Sequence, residues 1–345
     1  MPGAGRRGLL AALAATPAAA GRAQGQVQGG PSQGGQSQAG QSQGGQASAR
    51  AGSVTLLVGA APGSGPDSWT RSFAPFLERH WPHAVIGIRN LPGEGGLAAA
   101  RAMAEAPPDG RLIGSVATPQ LLARLVEADA TALLPRLDFL AAVAEEPLVL
   151  VGHPGTVPDL AMLRELATLR GLAARATLGT PPQGSAAQLA GVALGLALPL
   201  GLLAFANAAA AREAVMAGNI PCAMLAAPQA IAALRDGRLA GLGIAQALRS
   251  PLLPEVPTLR EQGIPLVLTA HRGFVLPAGV PPERTEPLVR ALRAATGDPE
   301  FAAQAEDQGY VPSFLGPTLW TPLLRRSATE LANRWTIDPW VARRD

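Results

Sequence analysis

The sequence contains no lysine; all 28 basic residues are arginine. It has one cysteine, one tyrosine and four histidines, and charged residues make up only 15% of it. Each scarcity excludes something. Nucleic-acid binding needs clustered cations that release counterions. Here the arginines are dispersed, 25 acids offset them, and the net charge is +3, so no nucleic-acid partner is expected. The lone Cys222 rules out an internal disulfide and any CxxC metal or redox pair. Its apolar setting, IPCAML, reads as a small buried thiol, because catalytic thiols need an electropositive, partly exposed place. Without lysine there is no GxxxxGK[ST] loop, and GSGPDS lacks the third glycine of GxGxxG. No GxSxG elbow occurs. His80 and His83 lie near Glu78, but Pro82 interrupts any helix that would align them. No metal site and no cofactor are expected.

What is present is apolar surface and alternation. Hydrophobic residues make up 48% of 345, enough for two domains of ordinary size. The first 20 residues follow the plan of a secretory signal: Arg6 and Arg7, a short apolar run, then small residues up to Ala20. The paired arginines also resemble a twin-arginine signal. Cleavage after Ala20 would remove two arginines and no acid, bringing the side-chain charge from +3 to +1. Residues 21–52 are mostly Gly, Gln, Ser and Ala, the composition of a flexible tether. From Ser53 on, apolar strands alternate with amphipathic helices. This rhythm predicts an α/β fold of mostly parallel, doubly wound sheets. The apolar stretch 191–205 is broken by glycines and Pro199 and is too short to span a bilayer.

Four glycine-, proline- or serine-bearing turns follow strands and open helices: APGSGPDS (61–68), LPGEGG (91–96), ATPQ (117–120) and GTPPQGSAAQ (179–188). Ligands of open α/β sheets bind at the carboxyl ends of strands, where helix N-termini present unpaired N–H groups. Each turn alone reads equally well as tight-turn chemistry, and Asp67 as a cap. As a set they suit a small anion. No Ser/His/Asp or carboxylate-pair constellation stands out, so the chain is read as a binding protein and not an enzyme. Two other readings remain. One is a binding-protein-like sensor that presents its liganded form to a signalling partner. The other is a hydrolase or transferase using Ser185, which turnover of an ester lost on Ser185→Ala would favour.

Further motifs carry a family resemblance. PGSGPD with Arg71 four residues on, NLPGEGG (90–96), PPDGRLI, LVLVGHP and above all SPLLPEVPTLREQGIP (250–265) resemble the periplasmic substrate-binding proteins of tripartite tricarboxylate transporters, the Bug family. PAGVPPE and GDPEFAAQAEDQGYVP match as well. The resemblance covers about residues 53–335. It implies a two-lobed, type II periplasmic-binding-protein fold, a small carboxylate as ligand, membrane permease subunits as partners, a periplasmic location and a monomer. It places lobe 1 at 53–150, completed by 269–345, and lobe 2 at 151–268. It points to Gly63, Ser64, Gly65, Asp67, Glu94, Gly95, Gly96, Thr118 and Gln120 in the first lobe, with Ser185 at a helix start in the second. The sequence also departs from the family. Gln188 stands where a histidine is usual, Ala206 where a lysine is, PCAMLA replaces an acidic loop, and His271-Arg272-Gly273 replaces an aromatic segment; Gln188 and His271 are expected among the ligand-binding residues. Arg272 thereby becomes a candidate cation for the ligand or, equally, a hinge-strand surface residue.

Overall fold

The computed structural model of the protein describes residues 53–169 and 176–341. The expected signal and tether lie outside the described residues. The chain opens with β1 (Ser53–Val58), α1 (Gly65–His80), β2 (Val85–Asn90), a 3₁₀ turn at Glu94–Gly96, α2 (Leu97–Glu105), β3 (Leu112–Thr118), α3 (Gln120–Glu127) and β4 (Leu137–Glu146). A second set follows: β5 (Leu148–Gly152), α4 (Leu160–Leu169), β6 (Ala176–Thr180), α5 (Ala186–Ala197), β7 (Leu200–Ala204), α6 (Ala208–Met216), β8 (Cys222–Ala226), α7 (Ala227–Arg235) and β9 (Ala240–Ile244). The chain then returns through β10 (Ala270–Pro277), α8 (Pro282–Thr296), α9 (Pro299–Asp307), β11 (Val311–Leu315) and α10 (Pro317–Ile337).

Two sheets result, one per lobe, ordered β11-β4-β10-β3-β1-β2 and β7-β6-β8-β5-β9. Both are mixed, where mostly parallel sheets were expected. β1 pairs in parallel with β2 and β3, and β6 with β7 and β8. The antiparallel pairings all involve strands at the crossings: β10 against β3 and β4, β4 also against β11, and β5 against β8 and β9. A strand arriving from the other lobe enters its sheet without a crossover helix, so nothing forces it parallel. The chain passes between sheets at Pro147, since all of β5 pairs in the second; the boundary expected after residue 150 falls inside that strand. The sequence reading also missed β11, whose residues are only half buried.

The helices form for local reasons and are held by their buried faces. α1 has Pro66 in its first turn and Asp67 near its positive end, both favourable there. It buries Trp69, Phe73, Phe76 and Leu77 at helical spacing. The few aromatics are concentrated here. Trp69 stacks on Phe73 at 5.6 Å, and Phe73 meets Phe301 edge-on at 5.0 Å. Phe274 from β10 closes the cluster, 5.3 Å from Phe73. The second lobe packs aliphatic side chains, alanines and Cys222 instead. Burial pushes the Cys222 thiol up to about 12, so it is an inert filler.

The two crossings lie side by side. Ala270 pairs with Glu146, the residue before Pro147. Here Arg272 meets Glu146 in a two-pronged ion pair, Nε to Oε2 and Nη2 to Oε1, both at 3.0 Å. Both residues are buried, at 7% and 5% exposure. Arg272 is therefore spent on the crossing, which corrects both earlier readings of it, as ligand cation and as surface residue. Removing one member of a buried pair strands the other charge. Arg272→Ala should cost about 3–5 kcal/mol in urea unfolding, and Arg272→Met combined with Glu146→Leu should recover most of it. A loss under 1 kcal/mol would contradict this.

Candidate functional site

The first two turns are tied together by a carboxylate. Asp67 is 2% exposed and accepts from Gly63 N at 2.8 Å, Arg71 Nε at 2.9 Å and Asn90 Nδ2 at 2.9 Å. Asn90 also donates to Ala60 O at 2.9 Å. Asp67 thus pins the end of β2 to the turn after β1, and its oxygens are committed inward. Other expected ligand donors are used within the turns as well. Ser64 N donates to Ala61 O at 3.2 Å, the Ser64 hydroxyl to the same oxygen at 2.6 Å, and Gly96 N to Gly93 O at 2.9 Å. In the second lobe Ser185 caps α5 by accepting from Gln188 N at 3.2 Å. The Gln188 side chain is buried; its Oε1 accepts from Gly184 N at 3.1 Å and its Nε2 donates to Trp340 O at 3.2 Å.

A hollow of about 310 Å³ opens between the turns of the first lobe. Of the expected residues, Glu94, Gly95, Gly96 and Gln120 line it, whereas Gly63, Ser64, Gly65, Asp67, Thr118, Ser185, Gln188, His271 and Arg272 do not. Thr118 ends β3, buried, with no partner for its hydroxyl; Thr180 holds the corresponding place at the end of β6 in the same condition. His271 pairs with Thr118 across the sheet. Burial lowers its pKa, the nearby Glu145 charge notwithstanding, so it supplies no fixed positive charge. A larger hollow, about 870 Å³, lies among α8, α10 and the start of β4. The β10 register puts Leu137 level with Pro277 and Glu146 level with Ala270, so this hollow sits at the end of the sheet away from the crossings and the turns.

Sequence reasoning missed the central cation. Arg124 projects from α3 and lies between the turns of the two lobes. Nη1 pairs with Glu127 at 2.6 Å and Nη2 donates to the Gln183 carbonyl across the cleft. Nε is buried without a hydrogen-bond partner. A Cβ at Gly95 would stand 2.6 Å from Arg124 Nε, and one at Gly184 would stand 2.8 Å from Cζ. Both glycines also have positive φ, 67° and 75°, so both are needed for backbone shape and for space. The sequence offered the N–H groups of the turns, with Arg272 as the candidate cation; Arg124 is the cation that stands among the turns. A signal existed. Gln120, Arg124 and Glu127 recur at helical spacing on a helix whose other residues are apolar, which places them on one stripe. Trp340 completes the group, its Nε1 donating to Glu127 Oε1 at 2.5 Å.

The family model for the tripartite tricarboxylate transporter family receptor, TctC, matches residues 70–315. The chain belongs to that family. A Cupriavidus necator relative, the UPF0065 protein in the gbd 5' region, is 26% identical over 252 residues, 72% of this chain and 76% of its own length. Among solved structures, a TctC solute-binding protein from Polaromonas without ligand superimposes with a TM-score of 0.71 at 20% identity, covering 83% of this chain and 98% of that one. MatC from Rhodopseudomonas palustris, with bound malate, gives 0.65 at 23% identity, covering 81% and 98%. These likenesses establish the two-lobed binding-protein fold. This TctC-family protein is thus a solute receptor and not an enzyme. Among the described residues no group of three His, Cys, Asp or Glu could hold a metal ion, and no helix is long and apolar enough to cross a membrane.

The Asp67 knot makes the receptor acid-sensitive. Its hydrogen bond from Arg71, opposed by burial, holds the carboxyl at about 2 against an ordinary 3.8. A depressed folded-state value means stabilisation present above pH 3.8 and lost as pH falls toward 2. Asp298, held at about 2 chiefly by His80, adds to the same window. Melting followed by circular dichroism should show Asp67→Asn less stable than wild type at pH 7. The variant should also have a shallower decline between pH 4 and 2. Identical slopes would contradict this assignment.

Proposed function

We propose that this receptor captures a small carboxylate in the cleft between its lobes, outside the cytoplasm, and delivers it as a monomer to a tripartite permease. The observation that carries the reading is Arg124. It is a guanidinium held between two glycine turns on facing lobes, with one N–H buried and unused. A carboxylate entering an open cleft would meet that N–H, and the N-terminal ends of α3 and α5 add favourable field. Among the residues expected from sequence, Gly95, Gly96 and Gln120 line the hollow beside Arg124, and Ser185 follows Gly184, which supports their contributing. The malate bound by MatC supports the ligand class. The basic and apolar first 20 residues support export.

The test is a thermal-shift screen of mono- and dicarboxylates followed by calorimetry. A ligand at about 100 times its Kd should add roughly 2.7 kcal/mol of stability. Arg124→Gln keeps side-chain donors but removes the charge. A hydrogen bond to a charged group is worth about 1.5–3 kcal/mol, so affinity should fall at least tenfold in folded protein. Carboxylates that bind Arg124→Gln as tightly as wild type would move the site elsewhere.

A further inference from the structure

The 310 Å³ hollow reaches past the turns into the body of the first lobe. Beside the turns its lining includes Gly95, Gly96, Ala117 and Gln120, and deeper in the lobe Leu57, Ala99, Ala100, Met103, Leu121 and Val275. From Ala117 to Gly114, both in its lining, β3 advances three residues, roughly 10 Å. The hollow is half open to solvent and not a sealed interior void. It falls at the lower end of the size range of small-molecule pockets, roughly 300–1,000 Å³. Its emptiness has a sequence cause: α2 presents Ala99 and Ala100, both buried, where bulkier side chains would fill the space. The turn end of the lining adjoins the cation, since Gly95 abuts Arg124 Nε and Gln120 lies one helical turn before it.

The wall chemistry separates ligand classes. No arginine or histidine lines the hollow, and its one charged residue is the acid Glu94, which faces Arg101 at 3.6 Å. Ser115 is engaged with Thr70 at 2.7 Å. A second carboxylate carried into this space would lose its hydration and find no partner, whereas hydrocarbon would gain by burial. We propose that the receptor selects monocarboxylates with an apolar body, the carboxylate at the Arg124 end and the hydrocarbon in the chamber behind the turns. This rests on the carboxylate-receptor reading above and narrows it.

Calorimetry with propionate, hexanoate and adipate tests it, because adipate matches hexanoate in length and adds a second charge. Each buried methylene should tighten binding about fourfold. Hexanoate should therefore bind at least tenfold more tightly than propionate or adipate. Ala100→Leu, which fills the chamber, should weaken hexanoate tenfold or more and leave propionate within twofold. Met103→Ala, which enlarges it, should shift the preference toward octanoate; it keeps the test intact if Ala100→Leu misfolds, with melting curves as the check on folding. Adipate binding as tightly as hexanoate, or chain-length preferences unmoved by the variants, would overturn the proposal while leaving a carboxylate receptor. No binding of any carboxylate would overturn both.

Discussion

The pairing of β4 with β10 is the constraint on which the rest depends. Both chain crossings between lobes run through this ladder, and Ala270 sits opposite Glu146 where they meet. Side chains on a strand alternate faces, so a slip of one residue would carry Arg272 to the opposite side of the sheet. Glu146 would then lie buried without its partner. The ion pair thus fixes the register of the ladder, and the register fixes where each lobe's turns point. Only then can the Arg124 side chain from one lobe find the Gln183 carbonyl of the other.

What was legible in the sequence was local. The strand–turn–helix rhythm and the short motifs at 61–68, 90–96 and 250–265 determined the architecture and the family. Asp67 lies four residues from both Gly63 and Arg71, but it read only as a cap or a ligand residue; the structure makes Ser64 the N-cap and sets Asp67 between Gly63, Arg71 and Asn90. What escaped was set by distant partners. Arg272 reads as a free cation until Glu146, 126 positions away, is placed beside it. Gln188 reads as a ligand donor until Trp340, 152 positions away, takes its amide. The mixed sheets escaped because strand direction depends on which lobe the chain has come from, and apolar runs carry no record of that. Arg124 differs, because its polar stripe on α3 was readable from spacing alone.

The lobes also differ in how they are consolidated. Aromatic rings interlock in the first, around Phe73 and Phe274, and aromatic pairs add stability beyond their area. The second relies on small aliphatic side chains. The chamber therefore lies in the better-braced lobe, where α2 can leave space without local collapse.

Trp340 touches both halves of the cleft at once. Its carbonyl accepts from Gln188 on α5, its indole N–H donates to Glu127 on α3, and its ring packs with Ala123, Val126 and Leu189. The last turn of the described chain is thus a stay stretched between two plates. Parting the plates beyond the slack of that stay requires it to let go of one side. The contact that ties α3 to α5 is accordingly made by a segment far along the chain from every turn that lines the cleft.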